Sequence, residues 1–332
     1  MPTPDFQSFL APTLRAYLDY LAGLGYSTVT PSYDLRRLDR FWARHGFREL
    51  DELPVHWALE MQQEAPELAG NTWRGLRHTF HGLCHYLIRV GRLKKDLIST
   101  WPLPRVEPYH PYVFCPADLR RFFDHLQDRA RQARTPVRFY QNFSDYAFYH
   151  LLYACGLRVS EAVHLGVDDY CPQHTTLWIR PSKFGKDRLL PLGRRVDLNL
   201  RNLVDLRRRW FPRVDTGRLF VLAPRGRPYT RGRASDYFRL LLRRLGIYQP
   251  RRSEQAIRYG TPHLHELRRS FAVHRLLAWY RQGVDLDAKL PLLATYMGHA
   301  RFEYTKVYLP LTEELLREAD KRFAGRFDRL DW

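Results

Sequence analysis

Cysteine is sparse: four residues in 332, none in a CxxC pair, leave no material for a disulfide framework and fit a reducing compartment. No apolar run approaches the roughly 18 residues needed to span a bilayer, so a membrane-embedded protein is excluded. The opening stretch MPTPDFQSFLAPTLRAYLDYL has neither the basic start nor the apolar centre of a secretory signal, and the expected location is the cytoplasm. Familiar enzyme signatures are missing as well. There is no GxGxxG, no Walker GxxxxGKS/T, no GxSxG and no HExxH. Acidic residues are outnumbered, 35 against 54 basic ones, for a net charge of +19. Lysine is scarce too, since only seven of those 54 are lysine.

What is present is arginine and apolar mass. With 45% hydrophobic and 14% aromatic residues the chain has ample core material, which excludes disorder as its main state. Its length suggests two domains. Charge is unevenly placed: residues 1–100 carry a net of +1 and residues 101–332 a net of +18. Residues 207–258 alone hold fifteen arginines. A guanidinium fork matches phosphate oxygens two at a time, so a polyanionic partner, most naturally nucleic acid, is expected.

The pattern along the chain predicts a fold that is mainly α with a small antiparallel sheet. Leu14, Tyr17, Leu18 and Leu21 recur at helical spacing, as do Tyr33 to Trp42, a stretch from Val55 to Gln63, and Leu76, Phe80, Leu83 and Leu87. Pro102, Pro104, Pro108, Pro111 and Pro116 then crowd a stretch that cannot be helical and reads as a linker. Beyond it come helices near 117–123, 143–154, 195–209, 233–245, 264–281, 287–296 and 312–323. Two strands, 175–179 and 188–192, are joined by a turn at Gly185. His78, His81, Cys84 and His85 lie at helical spacing. Zinc sites usually draw on separated segments, so a partly buried helix face is expected there, with no metal site.

Chemistry-bearing residues gather in the basic half. Arg158 follows a helix end at Gly156, with Glu161 three residues on and able to orient its guanidinium. His265 and Arg268, at i and i+3, share a helix face, with Leu267, Phe271, Leu276 and Leu277 as the buried side. Gly298-His299 is followed nine residues after the histidine by Tyr308.

Taken in order, GLRVSE, SKFGKDRLLPL, HELRRSFA and YMGHARFEYTKVY resemble the catalytic domain of the tyrosine recombinases, the phage integrase family, over about residues 116–325. The resemblance implies a helical core-binding domain at 1–103, a linker at 104–115 and a catalytic domain at 116–332. It implies an active site of Arg158, Lys183, His265, Arg268, His299 and the nucleophile Tyr308, supported by Glu161. Arg180, Lys186, Arg188, Arg231 and Arg233 are expected DNA contacts. Tyr308 would attack a phosphodiester to give a 3′-phosphotyrosyl link and a free 5′-hydroxyl, with the bond energy conserved and no cofactor required. Three departures from the family pattern are Arg269, where histidine is frequent, Met297 for leucine, and Tyr304 one turn before Tyr308.

The implied partners are double-stranded DNA at a specific site and three further copies of the chain in a synaptic tetramer passing through a Holliday junction. Accessory DNA-bending proteins are compatible with this, and the tail 312–323 is expected to dock on a neighbouring protomer. The location becomes the nucleoid. Two rivals share the residues: a type IB topoisomerase, which returns a strand to its own partner, and a non-cleaving DNA-binding relative.

Overall fold

The computed structural model describes residues 5–49, 56–65, 68, 70–101, 109–180, 187–210, 217–250, 252–254, 257–299, 305, 308, 309 and 311. Lys183, Lys186, Tyr304 and the tail 312–323 lie outside the described residues. The chain divides into two compact units, Met1–Pro108 and Tyr109–Trp332.

The first unit is helical: α1 (Ala11–Gly23), α2 (Val29–Arg44), α3 (Trp57–Glu64) and α4 (Gly70–Arg89), followed by a 3₁₀ turn (Leu97–Thr100). Leu14, Leu35, Leu38, Phe41, Trp42, Leu76, Phe80 and Leu83 line their inner faces, and Trp57 and Trp101 complete an aromatic centre. Buried Asp39 of α2 accepts hydrogen bonds from the backbone N–H groups of Gln7 (2.8 Å) and Ser8 (2.9 Å), pinning the amino-terminal strand of chain to the bundle. A buried carboxylate is tolerated there because both lone-pair directions are met by donors.

The second unit is built around α6 (Pro136–Ala154), packed on α5 (Pro116–Arg131) and α8 (Arg194–Trp210). It starts seven residues before the 143 expected, because Thr135 caps it through the Arg138 N–H and Pro136 occupies its first turn. A three-stranded antiparallel sheet joins β2 (Tyr170–Cys171), β3 (Thr176–Ile179) and β4 (Arg188–Pro191), the last two being the expected hairpin. A small hairpin, β5 (Val221–Leu222) with β6 (Arg227–Pro228), precedes α9 (Arg231–Arg244). Strands β7 (Arg252–Glu254) and β8 (Ile257–Tyr259) lead to α10 (Leu264–Arg281), with α11 (Leu286–Met297) after it. Short α7 (Val159–His164) follows the end of α6.

One pairing departs from the sequence reading. Tyr109 and His110, inside the proline-rich stretch, form β1 and pair in parallel with Arg258 and Tyr259 of β8. Phe114, further along, is buried, and its N–H donates to Ser270 Oγ (2.9 Å). Proline holds its neighbours extended, the conformation an edge strand needs, so this half of the stretch docks on the second unit.

Helix α10 is also more enclosed than its spacing predicts. Leu264, Leu267, Phe271, Ala272, Val273 and Leu276 are buried, and so are Glu266, Arg268 and Ser270, because α10 packs against α6 and α11. Gly156 lets this happen. It adopts φ +58°, and a Cβ there would sit 2.4 Å from the Phe271 ring. We expect Gly156→Ala to cost at least about 2 kcal/mol, from left-handed strain and overpacking together, read as a lower midpoint in urea unfolding. A midpoint equal to wild type would show that the Phe271 ring moves aside freely.

Candidate active site

Four segments far apart in sequence converge at the carboxyl end of α11. Its last carbonyls have no partner within the helix. Three guanidinium groups supply the missing donors. Arg188 Nε donates to the Tyr296 carbonyl (3.0 Å), Arg268 Nη2 to Met297 (2.8 Å) and Arg158 Nη2 to Gly298 (2.8 Å). The helix dipole places partial negative charge at this end, which favours cations there. Gly298 closes the helix in the left-handed conformation at φ +68°. A Cβ at this position would lie 2.6 Å from Arg188 Nη1, so glycine is required both for the turn and for the arginine's approach.

Glu161 holds two of these arginines. Its Oε1 accepts from Arg158 Nη1 (2.7 Å) and Arg188 Nη1 (3.0 Å), and its Oε2 from Arg188 Nη2 (2.8 Å) and the Arg158 backbone N–H (2.9 Å). Burial alone would raise its pKa, but the guanidinium groups, Arg188 ahead of Arg158, hold it below the usual carboxylate range. Arg268 is almost wholly enclosed, 1% exposed, and also donates to the Gly156 carbonyl, two residues before Arg158. Burial, and then Arg158, lower its guanidinium to about 10, so it remains a cation at neutral pH. The site thus opposes three guanidinium groups with one carboxylate, leaving an excess of positive charge for an anion.

The imidazoles border this charge. His265, near the start of α10, lines a groove of about 420 Å³ together with Arg158, Ser160, Arg231, Arg239 and His263. Desolvation, and then the arginines Arg269 and Arg268, lower His265 to about 4; desolvation followed by Arg268 and Arg158 lowers His299 to about 3. Both are neutral imidazoles at pH 7. His299 Nδ1 lies 2.7 Å from Thr305 Oγ1, and its ring stacks 6.2 Å from that of Tyr308. Tyr308 is 6% exposed and packs with Phe271, Leu276 and Met297. Burial raises its pKa and the Arg268 guanidinium opposes that, so at pH 7 it is a phenol that needs a proton acceptor.

Depressed histidines make stability depend on pH with a definite sign. An unfolded histidine takes up a proton below about 6.5, whereas His299 and His150, the latter lowered to about 4 by burial, resist protonation while folded. Stability is therefore present above about pH 6.5 and is lost as pH falls towards 4. We expect stability to fall between pH 7 and pH 5 by on the order of 1 kcal/mol for each such histidine, read as a lower thermal midpoint. His150→Gln should flatten that dependence; an unchanged slope would assign it to other groups.

Not every arginine faces outward as expected. Arg188, an expected DNA contact, has a side chain that is 9% exposed and a guanidinium used by Glu161 and the Tyr296 carbonyl, which places it in the interior of the site. Arg233 is another. It pairs with buried Asp145 (3.1 Å) and lies over the rings of Tyr229 and Tyr237, neutralising a carboxylate inside the unit. Arg180, half exposed, bridges to Asp169 and covers Trp178. Arg231 is exposed on the groove. Arg269, where the family often has histidine, bridges to fully buried Glu266 (2.8 Å), which also receives His263 Nδ1 (2.9 Å). The inward role of Arg188 had no local signal, since its partners lie 27 residues before it and 108 after it.

Comparison with known proteins adds the following. The family model described as "Phage integrase family" matches residues 120–314. The y4rE protein of Sinorhizobium fredii is 28% identical over 320 residues, which is 96% of this chain and 96% of that protein. The tyrosine recombinase XerC of Chlorobaculum parvum is 30% identical over 253 residues, 72% of this chain and 69% of that protein. Among solved structures, the site-specific recombinase XerH bound to palindromic difH substrate in a post-cleavage complex superposes with a TM-score of 0.65. It is 19% identical, covering 89% of this chain and 79% of that one.

Proposed function

Because this chain belongs to the phage integrase family and is a tyrosine site-specific recombinase that cuts and rejoins DNA, we propose that Arg158, Lys183, His265, Arg268, His299 and Tyr308 perform its chemistry. The observation that carries the assignment is the convergence of Arg158 and Arg268 on consecutive carbonyls beside His299, with the Tyr308 ring packed against the same helix end. The Tyr308 hydroxyl attacks phosphorus, the P–O5′ bond breaks, and a 3′-phosphotyrosyl ester and a 5′-hydroxyl result. Neutral His265 accepts the tyrosine proton, and Lys183 donates one to the departing 5′ oxygen. Arg158 and Arg268 meet the charge that grows on the nonbridging oxygens, a gain larger in the transition state than in the substrate. Attack by a 5′-hydroxyl of a second duplex reverses the step and joins the exchanged strands.

The partner is double-stranded DNA. Four copies acting on two sites, with strands passing pairwise through a Holliday junction and the tail 312–323 exchanged between neighbours, complete the reading. The supporting relatives are XerC and the XerH–difH complex, recombinases by name.

The decisive experiment recovers tagged protein from its host under denaturing conditions and sequences any DNA still attached. Attachment at one or two loci is the expected result and gives the target site at once. Attachment scattered over the genome would replace the reading by strand relaxation of the type IB topoisomerase kind. DNA recovered natively but never under denaturing conditions would make the chain a binder without chemistry.

A further inference from the structure

The first unit carries a convergence of ligands that strand exchange does not use. Helix α4 presents His81 and His85 at i and i+4, one turn apart on a single face. The chain then turns back and brings in Asp96 from outside the helix, at the start of the 3₁₀ turn. His81 Nε2 lies 2.9 Å from His85 Nε2 and 2.9 Å from Asp96 Oδ2, and His85 Nε2 lies 3.7 Å from that same oxygen.

Two features make this more than a surface ion pair. Two imidazole nitrogens 2.9 Å apart have room for one hydrogen between them, and the carboxylate oxygen at the same distance from His81 competes for it. One N–H is asked to serve two acceptors. A cation takes all three lone pairs instead. The distances suit one: ligands bonded at about 2.0–2.1 Å in a tetrahedron are roughly 3.3 Å apart, and the observed separations bracket that value.

Asp96 is also oriented from behind. Its Oδ1 accepts the Ile98 backbone N–H (2.9 Å), which leaves Oδ2 for the histidines. Metal-binding carboxylates are characteristically supported in this way. The three side chains are 40%, 64% and 26% exposed, so an ion has a path in, and a water can take the fourth position. Asp96 supplies the ligand from a separate segment that the helix by itself lacks, whereas Cys84 is fully buried.

We propose that His81, His85 and Asp96 bind one divalent ion of the zinc class. Two imidazole nitrogens and one carboxylate oxygen favour zinc, cobalt, nickel or copper over magnesium or calcium. The ion fastens α4 to the segment that leads through the 3₁₀ turn to buried Trp101, whose carbonyl accepts from Arg77 of the same helix (2.9 Å). Bound metal therefore stabilises the end of the first unit by mass action.

The test uses the full chain, stripped of metal, titrated with Zn²⁺ against a chromophoric chelator and with Co²⁺ as a spectroscopic probe. His81→Gln, His85→Gln and Asp96→Asn are compared with wild type, and His45→Gln serves as an off-site control. Even loss of a supporting group costs about 10–100-fold in metal affinity, so each ligand variant should weaken zinc binding by at least about 10-fold while the control does not. Zinc should raise the thermal midpoint of wild type and leave that of His81→Gln unchanged. Equal midpoints of the two proteins in chelator would show that the variant is folded. The proposal is overturned if wild type takes up no more zinc than His81→Gln and His85→Gln, which would leave the cluster a proton-mediated ion pair.

Discussion

Tyr308→Phe binds DNA as wild type does and forms no covalent DNA adduct. The substitution keeps the ring that packs with Phe271, Leu276 and Met297 and removes only the hydroxyl, so the fold should lose about 1 kcal/mol or less. Removing an enzyme's nucleophile leaves no alternative route to the covalent species, and the loss should be at least about 10⁴-fold. A nicked duplex that traps the cleaved strand gives the measurement. Adduct resistant to SDS should form with wild type and be undetectable with the variant, while native gel shifts coincide. An adduct that persists in Tyr308→Phe would move the nucleophile to Tyr304, one turn earlier in the sequence.

Arg268→Ala should lose both stability and chemistry, and Arg268→Lys should separate them. The buried guanidinium serves the carbonyls of Gly156 and Met297. Alanine leaves both acceptors unpaired beside a cavity, at about 2–5 kcal/mol. It also removes one arm of the proposed anion clamp, which for a single preorganised donor is about 10²–10³ in rate. Lysine retains the charge but is a point donor that cannot span two carbonyls and a phosphate together. Its unfolding midpoint should fall between those of wild type and alanine, while single-turnover cleavage stays about 10²-fold down. Cleavage by Arg268→Lys at the wild-type rate would mean that charge alone matters and the fork does not.

Local relations were legible in the sequence and distant ones were not. The start of α10 was clear because it follows Pro262, and the β3–β4 hairpin was clear because a glycine turn separates two apolar runs. The Arg158–Glu161 bond follows from a three-residue spacing. Strand β1 was hidden because two residues carry no periodicity and their partner is about 150 positions away. Arg188 stands among the expected DNA contacts, and nothing nearby in sequence announces the carboxylate and carbonyl that draw it inward. Asp145 gave no sign that it would be buried against Arg233, because the pair spans 88 residues. In each case the missing information is the tertiary partner, and a buried charge is fixed by its partner more than by its own neighbours.

The three arginines that share the end of α11 stand at positions 158, 188 and 268, but the carbonyls they require belong to residues 296–298. During synthesis a chain grows by about 5–20 residues per second and its early parts fold first. Arg158 is thus made well before the last of its partners exists, and Tyr308 comes later still. A chain stalled or clipped before Tyr296 keeps most of its arginines, yet it holds neither the anchor for its guanidinium groups nor the proposed nucleophile. On the proposed assignment, synthesis delivers the attacking tyrosine only after every guanidinium group and its anchor.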